Sequence, residues 1–329
     1  MPDISKINAL AIGSVAKVDG LAKASILDID GVAVPSAIAA PALAYSVRLL
    51  SSTLGVSYSG VAMRIRRDSD DVEADVGFDS LNNQVSLTSP ISNTSDSLSY
   101  TDLADFVDHT GTPTSAFVDE WKDQSGNARH ASQATHTSQP KLYDSSTGLV
   151  EQGATTSRTA LRFAADKLVA TGVGVSDLNN SSNSCCSYIY TDNQASTFKI
   201  AFGHSAISGG TTEYAYWTGR GDTDLNWEIR VSNILKVSRP TGYQNAQHLA
   251  WMNTSQTNNR QEFYMDGSEL GSKTSGGMQP TTTGNWLIGS SGYDFPFTGY
   301  IQELIIWPAD YQDLRTTVAT DLNNFFDVY

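Results

Sequence analysis

Over much of the chain, apolar and polar residues alternate one for one, and turn-forming clusters interrupt the alternation. Val61-Ala62-Met63-Arg64-Ile65-Arg66 places Val61, Met63 and Ile65 on one face of a predicted strand, with Arg64 and Arg66 on the other. Val72, Ala74 and Val76 alternate with Glu73 and Asp75 in the same way, and Asp68-Ser69-Asp70-Asp71 reads as the polar turn between the two strands. Ala44 to Leu50 is a further strand. From Ala160 onward short strands recur every 10–15 residues: Ala160–Phe163, Ser187–Tyr190, Phe198–Phe202, Tyr214–Thr218, Trp227–Val231, His248–Met252, Gln261–Met265, Asn285–Ile288 and Gly299–Ile306. Asp266-Gly267 follows Glu262-Phe263-Tyr264-Met265 as a hairpin signal, because both turn residues tolerate positive φ.

Helical spacing occurs twice. Thr101 to Val107 predicts a short helix capped by Thr101, with Leu103, Phe106 and Val107 on its apolar side. Tyr311 to Phe326 predicts a terminal helix with Leu314, Val318, Leu322 and Phe325 inward. Residues 79–100, rich in Ser, Asn and Thr, read as loop, and Trp121 to Ala131 as a turn-forming segment anchored by an aromatic. Many short strands with regular turns predict an all-β antiparallel sandwich over 42–329, with Trp121, Trp251 and Trp307 buried.

Before it lies a repeat. Lys6-Ile7-Asn8-Ala9, Lys17-Val18-Asp19-Gly20 and Asp28-Ile29-Asp30-Gly31 recur at an offset of 11 residues. Each unit couples a turn signal to a short apolar stretch, too small to bury much alone. Residues 1–34 are therefore expected to be an assembly arm, with Ile7, Val18, Ile29 and Val32 as its interface side chains. The proline-bounded stretch 35–41 reads as a linker.

Composition narrows the partners. Only 17% of residues are charged, and the 21 basic against 35 acidic residues give a net charge of −14. Nucleic acid and anionic membranes both need clustered Lys and Arg, so neither is expected as a partner. No apolar run reaches the roughly 18 residues of a spanning helix. Met1-Pro2-Asp3-Ile4-Ser5-Lys6 lacks the basic-then-apolar layout of a secretion signal, which predicts a protein made in the cytoplasm. Cys185 and Cys186 are adjacent, so no disulfide framework exists, and two ordinary strand cysteines are expected rather than a strained bridge between neighbours.

Several segments carry a resemblance. His248-Leu249-Ala250-Trp251, Tyr264-Met265-Asp266-Gly267, Leu287-Ile288-Gly289 and the closing run Phe297 to Trp307 resemble the laminin-G/concanavalin A-like superfamily over roughly 110–329. Ser46 to Leu50, Arg64 to Asp71, Asp75 to Phe78 and Trp121 to Asn127 resemble arabinofuranosidase B-like modules, which recur in structural proteins of marine phages. The arm repeat is similar to the N-termini of phage structural proteins. What the resemblance implies is a jelly roll and, in many relatives, glycan binding. That family also carries adjacent cysteines near its sugar site, but the residues flanking Cys185-Cys186 do not otherwise fit.

The resemblance does not place a catalytic acid pair. Jelly-roll glucanases use E-x-D-x-x-E on one strand, whereas Glu73-Ala74-Asp75-Val76-Gly77-Phe78 has Phe78 at the third acidic position. Asp71, Glu73 and Asp75 are read as a solvated strand face. Trp217, Arg220, Asp222, Asp224 and Trp227 offer the aromatic platforms and hydrogen-bonding groups of a sugar site, and are the glycan-contact candidates, against the reading of an ordinary hairpin. Calcium through Asp68, Asp70 and Asp71 lacks the glycine-containing loop pattern, and His109, His130, His136, His204 and His248 show no H-x-x-x-H spacing, so no cofactor or metal is expected. The expected function is a phage virion structural protein, a capsid decoration or tail-fibre component, located in the virion. It would dock to other virion proteins or to its own copies through the arm and present a lectin-like sandwich to cell-surface glycans. The alternatives are a glycoside hydrolase of arabinofuranosidase type and a non-catalytic carbohydrate-binding adhesin.

Overall fold

A computed structural model describes residues 17–18, 21–22, 28–29, 32–33, 38–153, 155–174, 184–192, 198–204, 215–220, 224–228, 234–255, 258–274, 283–290 and 296–329. The chain divides into two compact units, Met1–Ala39 and Ala40–Tyr329.

In the first unit, strands Lys17–Val18 and Leu21–Ala22 pair antiparallel, Lys17 opposite Ala22 and Val18 opposite Leu21. Asp28–Ile29 and Val32–Ala33 pair in the same register, Asp28 opposite Ala33. Among the described residues, two of the three repeat units are thus minimal hairpins with two residues between their strands. Ile7 lies outside the described residues, and Val18, Ile29 and Val32 are placed by their backbone pairing alone.

The second unit is an antiparallel β-sandwich, jelly-roll in kind, closed on itself around one core. One sheet runs Ser268–Thr274, Arg260–Met265, Gln247–Ser255, Ser184–Asp192, Thr298–Trp307, Leu43–Ser46. The other runs Ile234–Ser238, Asp224–Glu228, Ala215–Arg220, Phe198–His204, Thr283–Ile288, Leu168–Gly174, Ala131–Ser132, Ala116–Trp121, Met63–Arg67, Glu73–Val76, Ile91–Ser92. Two strands, Lys141–Asp144 and Leu161–Ala164, join the sheets along one side, since Lys141–Asp144 pairs with Ala116–Trp121 and Leu161–Ala164 with Thr298–Trp307. On the other side the edge strands approach closely: a Cβ on Gly271 would stand 2.9 Å from Val237 Cγ1.

Alternation drives one face of each strand inward. Trp121, Trp251, Trp286 and Trp307 are fully buried, as expected of the first, second and fourth. Trp121 donates to the Ser46 carbonyl at 3.2 Å and Trp307 to that of Leu54 at 3.2 Å, so two of these indoles bring their own polar partner into the core. Asp266 and Gly267 form the expected turn, with φ of 50° and 78°, opposite strands that meet at Met265 and Ser268.

The segment after Trp121 does more than turn. Asp123 accepts from Ala44 N at 2.9 Å, and Gln124 bridges Ser46, Arg48 and Leu50 through its side chain. Asn127 donates to the carbonyls of Pro41 and Ala42. Together they fasten residues 41–50 along the sheet. The first strand continues into Arg48, whose guanidinium bonds Glu303 on the closing strand at 2.8 Å and Asp321 on the terminal helix at 2.7 Å.

Three local expectations are corrected. The helix is Leu103–Val107 and its cap is Asp102, not Thr101: the Asp102 side chain accepts from Asp105 N, while Thr101 N donates to the Asp105 carboxylate in return. The terminal element is a 3-10 turn at Gln312–Leu314 followed by the helix Arg315–Phe326, and strict four-residue spacing from Val318 through Leu322 buries Phe326 in place of Phe325. Arg66, expected on a solvent face, is only 4% exposed. Phe117, from the neighbouring strand, lies against it.

Candidate functional site

Register assembles one outward row from residues far apart in sequence. Arg66 stands opposite Phe117, Phe117 opposite Lys141, Lys141 opposite Arg162, and Arg162 opposite Tyr300. Residues directly opposite in an antiparallel pair share a face, so these five share one. Their chain neighbours Ile65, Val118, Leu142, Leu161 and Ile301 are all completely buried. The row therefore faces away from the core. At a strand spacing of about 4.8 Å it spans roughly 19 Å.

Part of this row lines a cleft of about 490 Å³, walled by Arg66, Asp68, Asp71, Phe117, His136, Thr137, Gln139, Lys141, Arg162 and Asp166 among others. The Arg66 guanidinium is held from two sides. Its Nε donates to Gln139 at 2.9 Å and one terminal nitrogen to Asp71 at 2.7 Å. Gln139 is itself buried and pinned by its amide to Asp119 and the Gln133 carbonyl. Arg66 and Lys141 both lie 5.3 Å from the Phe117 ring centre. Lys141 also bonds Asp144 at 2.7 Å, which, with the Ser146 amide and hydroxyl, holds that carboxyl well below the ordinary aspartate value. Arg162 reaches Asp144 only at 3.6 Å and keeps 39% of its side chain exposed. Burial pushes the Asp166 carboxyl up from its ordinary value, against the Ala164 amide and the charge of Arg162.

The sequence-derived candidates fall elsewhere. Trp217 and Arg220 lie on the strand Ala215–Arg220, and Asp224 and Trp227 on its hairpin partner Asp224–Glu228. Trp217 pairs with Asn226 and Trp227 with Tyr216, so the two tryptophans occupy adjacent rungs. Asp224 bonds Lys236 at 2.6 Å. Asp222 lies outside the described residues.

The acids of the strand Glu73–Val76 and of the turn before it are held by cations. Arg64 bonds Glu73 at 3.0 Å and Asp75 at 2.9 Å. Asp70 makes a two-point bridge to Arg67. Among the described residues no group of three His, Cys, Asp or Glu is placed to hold a metal ion. Cys185 and Cys186 are free buried thiols in the middle strand Ser184–Asp192, as expected of strand cysteines, and burial raises both well above the ordinary thiol value.

Sequence reading missed Phe117, Lys141, Arg162 and Tyr300 because each is an unremarkable polar or aromatic position beside a core residue. The only available signal was the alternation itself. Register, which joins these positions, is not written in any local window.

The fold is that of a lectin-like β-sandwich. The profile of the Concanavalin A-like lectin/glucanases superfamily matches residues 163–311. Solved structures with a similar fold include a GH54 α-L-arabinofuranosidase soaked with a cyclic sulfate inhibitor, at TM-score 0.61 and 14% identity over 87% of this chain. A second is an arabinofuranosidase complexed with arabinofuranosyl-alpha-1,2-xylobiose, at TM-score 0.52 and 16% identity, again over 87% of this chain. The chain spans 63% of the length of each. No curated protein matches the sequence.

Proposed function

We propose that this protein is a non-enzymatic structural component of a phage particle, a capsid decoration or tail-fibre protein, whose sandwich binds saccharides. The observation that carries the binding reading is the outward row from Arg66 to Tyr300 with its cleft: fixed donors and acceptors suit a hydroxyl-rich ligand. The sandwich neighbours, both glycosidases by name, support the same ligand class. The phage attribution rests on the 11-residue arm repeat, two units of which form equivalent hairpins among the described residues. The arm would dock to other virion proteins or copies of this chain, and cell-surface glycans would be the sandwich's targets.

The experiment is calorimetric titration of the full chain with neutral and acidic oligosaccharides, beside Phe117→Ala and Lys141→Ala variants. Binding lost in both variants, with the folded far-ultraviolet circular dichroism spectrum retained, is the expected result. Saccharide binding that survives both variants would move the site, with Trp217, Arg220, Asp222, Asp224 and Trp227 the next candidates.

A second reading, a glycoside hydrolase of arabinofuranosidase type, draws on the two solved structures. Against it stands the capture of Glu73 and Asp75 by one guanidinium. Sugar released from arabinan by purified protein, and lost on substituting Glu73 or Asp75, would favour it over the non-catalytic reading.

A further inference from the structure

We infer that the row takes an acidic saccharide, one carrying carboxylate or sulfate groups, with its charge on Arg162 and the free edge of Arg66. The inference rests on the saccharide-binding reading above and names the ligand's chemistry.

The donors decide it. Among the described residues Arg162 makes no hydrogen bond to a carboxylate. Its nearest one, on Asp144, lies 3.6 Å away and is already occupied by Lys141 at 2.7 Å, Ser146 N at 3.0 Å and Ser146 Oγ at 2.6 Å. Arg66 spends Nε on Gln139 and one terminal nitrogen on Asp68 and Asp71, which leaves its second terminal nitrogen for a ligand. A guanidinium fork matches a carboxylate or sulfate with two parallel bonds, and an exposed one lacking such a partner is where an anion gains most.

The aromatic ring argues the same way. A neutral sugar is commonly gripped by laying its apolar face on an aromatic platform, as cations are held over a ring face. Phe117 is already engaged by two cations, Arg66 and Lys141, so it serves to steady them rather than to stack a ligand. Asp68 and Asp71 do not oppose the anion strongly: both sit at the mouth, more than half exposed, and are tied to Arg66. Among the described residues lining the cleft, Asp166 is the carboxyl that no cation bonds directly.

Spacing adds length. Arg66 and Arg162 are three strand steps apart, roughly 14 Å, so a chain laid across the strands meets a guanidinium at each end and Lys141 between them. The chain as a whole carries a net charge of −14, so it repels polyanions in general and any attraction must be local.

The test titrates the full chain with oligogalacturonate, a sulfated galactan oligomer and a neutral galactan oligomer of equal length, at fixed ionic strength. One or both acidic ligands should bind at least about tenfold tighter than the neutral one, the scale of one charge-assisted contact. Comparing the two acidic arms separates carboxylate from sulfate. Arg162→Gln should remove that preference, while Lys236→Gln, the same charge change at a distant exposed position, should leave it intact. Equal affinity for neutral and acidic oligomers would overturn the inference and leave saccharide binding standing. No binding by any of the three would overturn both. A preference untouched by Arg162→Gln, or lost equally in Lys236→Gln, would overturn the assignment to this row.

Discussion

Asp123 accepts hydrogen bonds from Ala44 N, Ser125 N, Ser125 Oγ and Arg129 N while almost wholly buried. Removing that carboxylate strands several donors away from water, and each buried orphan costs about 1–3 kcal/mol. Asp123→Ala should therefore lower stability by about 3 kcal/mol or more in urea unfolding, with an unchanged m-value; a loss below about 1 kcal/mol would mean that water replaces it freely. Asp144 gives a pH-dependent counterpart. Its carboxyl is held below the ordinary aspartate value by Lys141, so its contribution is present above the unfolded value near 4 and is lost as pH falls through the lower folded value. The stability gap between the protein and Asp144→Asn should be widest near neutral pH and narrow below pH ~3; a gap constant across that range would contradict the assignment. At this scale the sequence was only partly legible. Trp121, Trp251 and Trp307 announced themselves as core by size, whereas Arg66, opposite the apolar face of its strand, is buried because its partners Gln139 and Phe117 arrive from other segments.

Elements with strong local signals were the ones the pattern caught. The Asp266-Gly267 hairpin, the closing strand Thr298–Trp307 and the terminal helix all appear close to their expected positions. Ser268–Thr274 escaped because it is a largely exposed edge strand, Ser268-Glu269-Leu270-Gly271-Ser272-Lys273-Thr274, with no buried face to impose alternation. Leu168–Gly174 escaped because its pairing shifts between Ala170 and Val173, where Gly172 adopts φ 70°, and a bulge breaks the period of two. In the terminal helix the two phenylalanines have different work. Phe326 is fully buried, whereas Phe325 is half-buried beneath the guanidinium groups of Arg48, at 5.0 Å, and Arg158, at 4.7 Å. Phe326→Ala should cost about 3–5 kcal/mol and Phe325→Ala clearly less, measured by the same unfolding assay. Equal losses would mean that the helix can rotate to bury either ring. The middle strand supplies another check: with both thiols buried, Cys185 and Cys186 should resist alkylation until the protein unfolds.

At the level of the whole molecule, the sandwich was visible in the spacing of strands and turns, but the outward row was not, since it forms only when strands from five separate stretches come into register. The arm was visible as a repeat for the opposite reason: each unit is complete within a few residues. That completeness is also its weakness. Each described hairpin has only two paired positions per strand, and a two-stranded hairpin is marginal in water even when longer. Ordering costs roughly 1.5 kcal/mol per residue, which a few β-branched or leucine side chains per repeat hardly offset. The sandwich, by contrast, draws its core from Ala42 to Phe326 and fastens its own first strand through Asp123, Gln124 and Asn127. Deleting residues 1–34 should therefore shift the sandwich's melting temperature by less than about 2 °C, equivalent to under about 1 kcal/mol. On the proposed virion role, the same deletion should abolish oligomerisation or incorporation into a phage particle, measured by light scattering and by recovery in purified virions. A truncated protein that assembles normally would refute the arm's role. A sandwich that melts far lower would show instead that the arm is part of its structure.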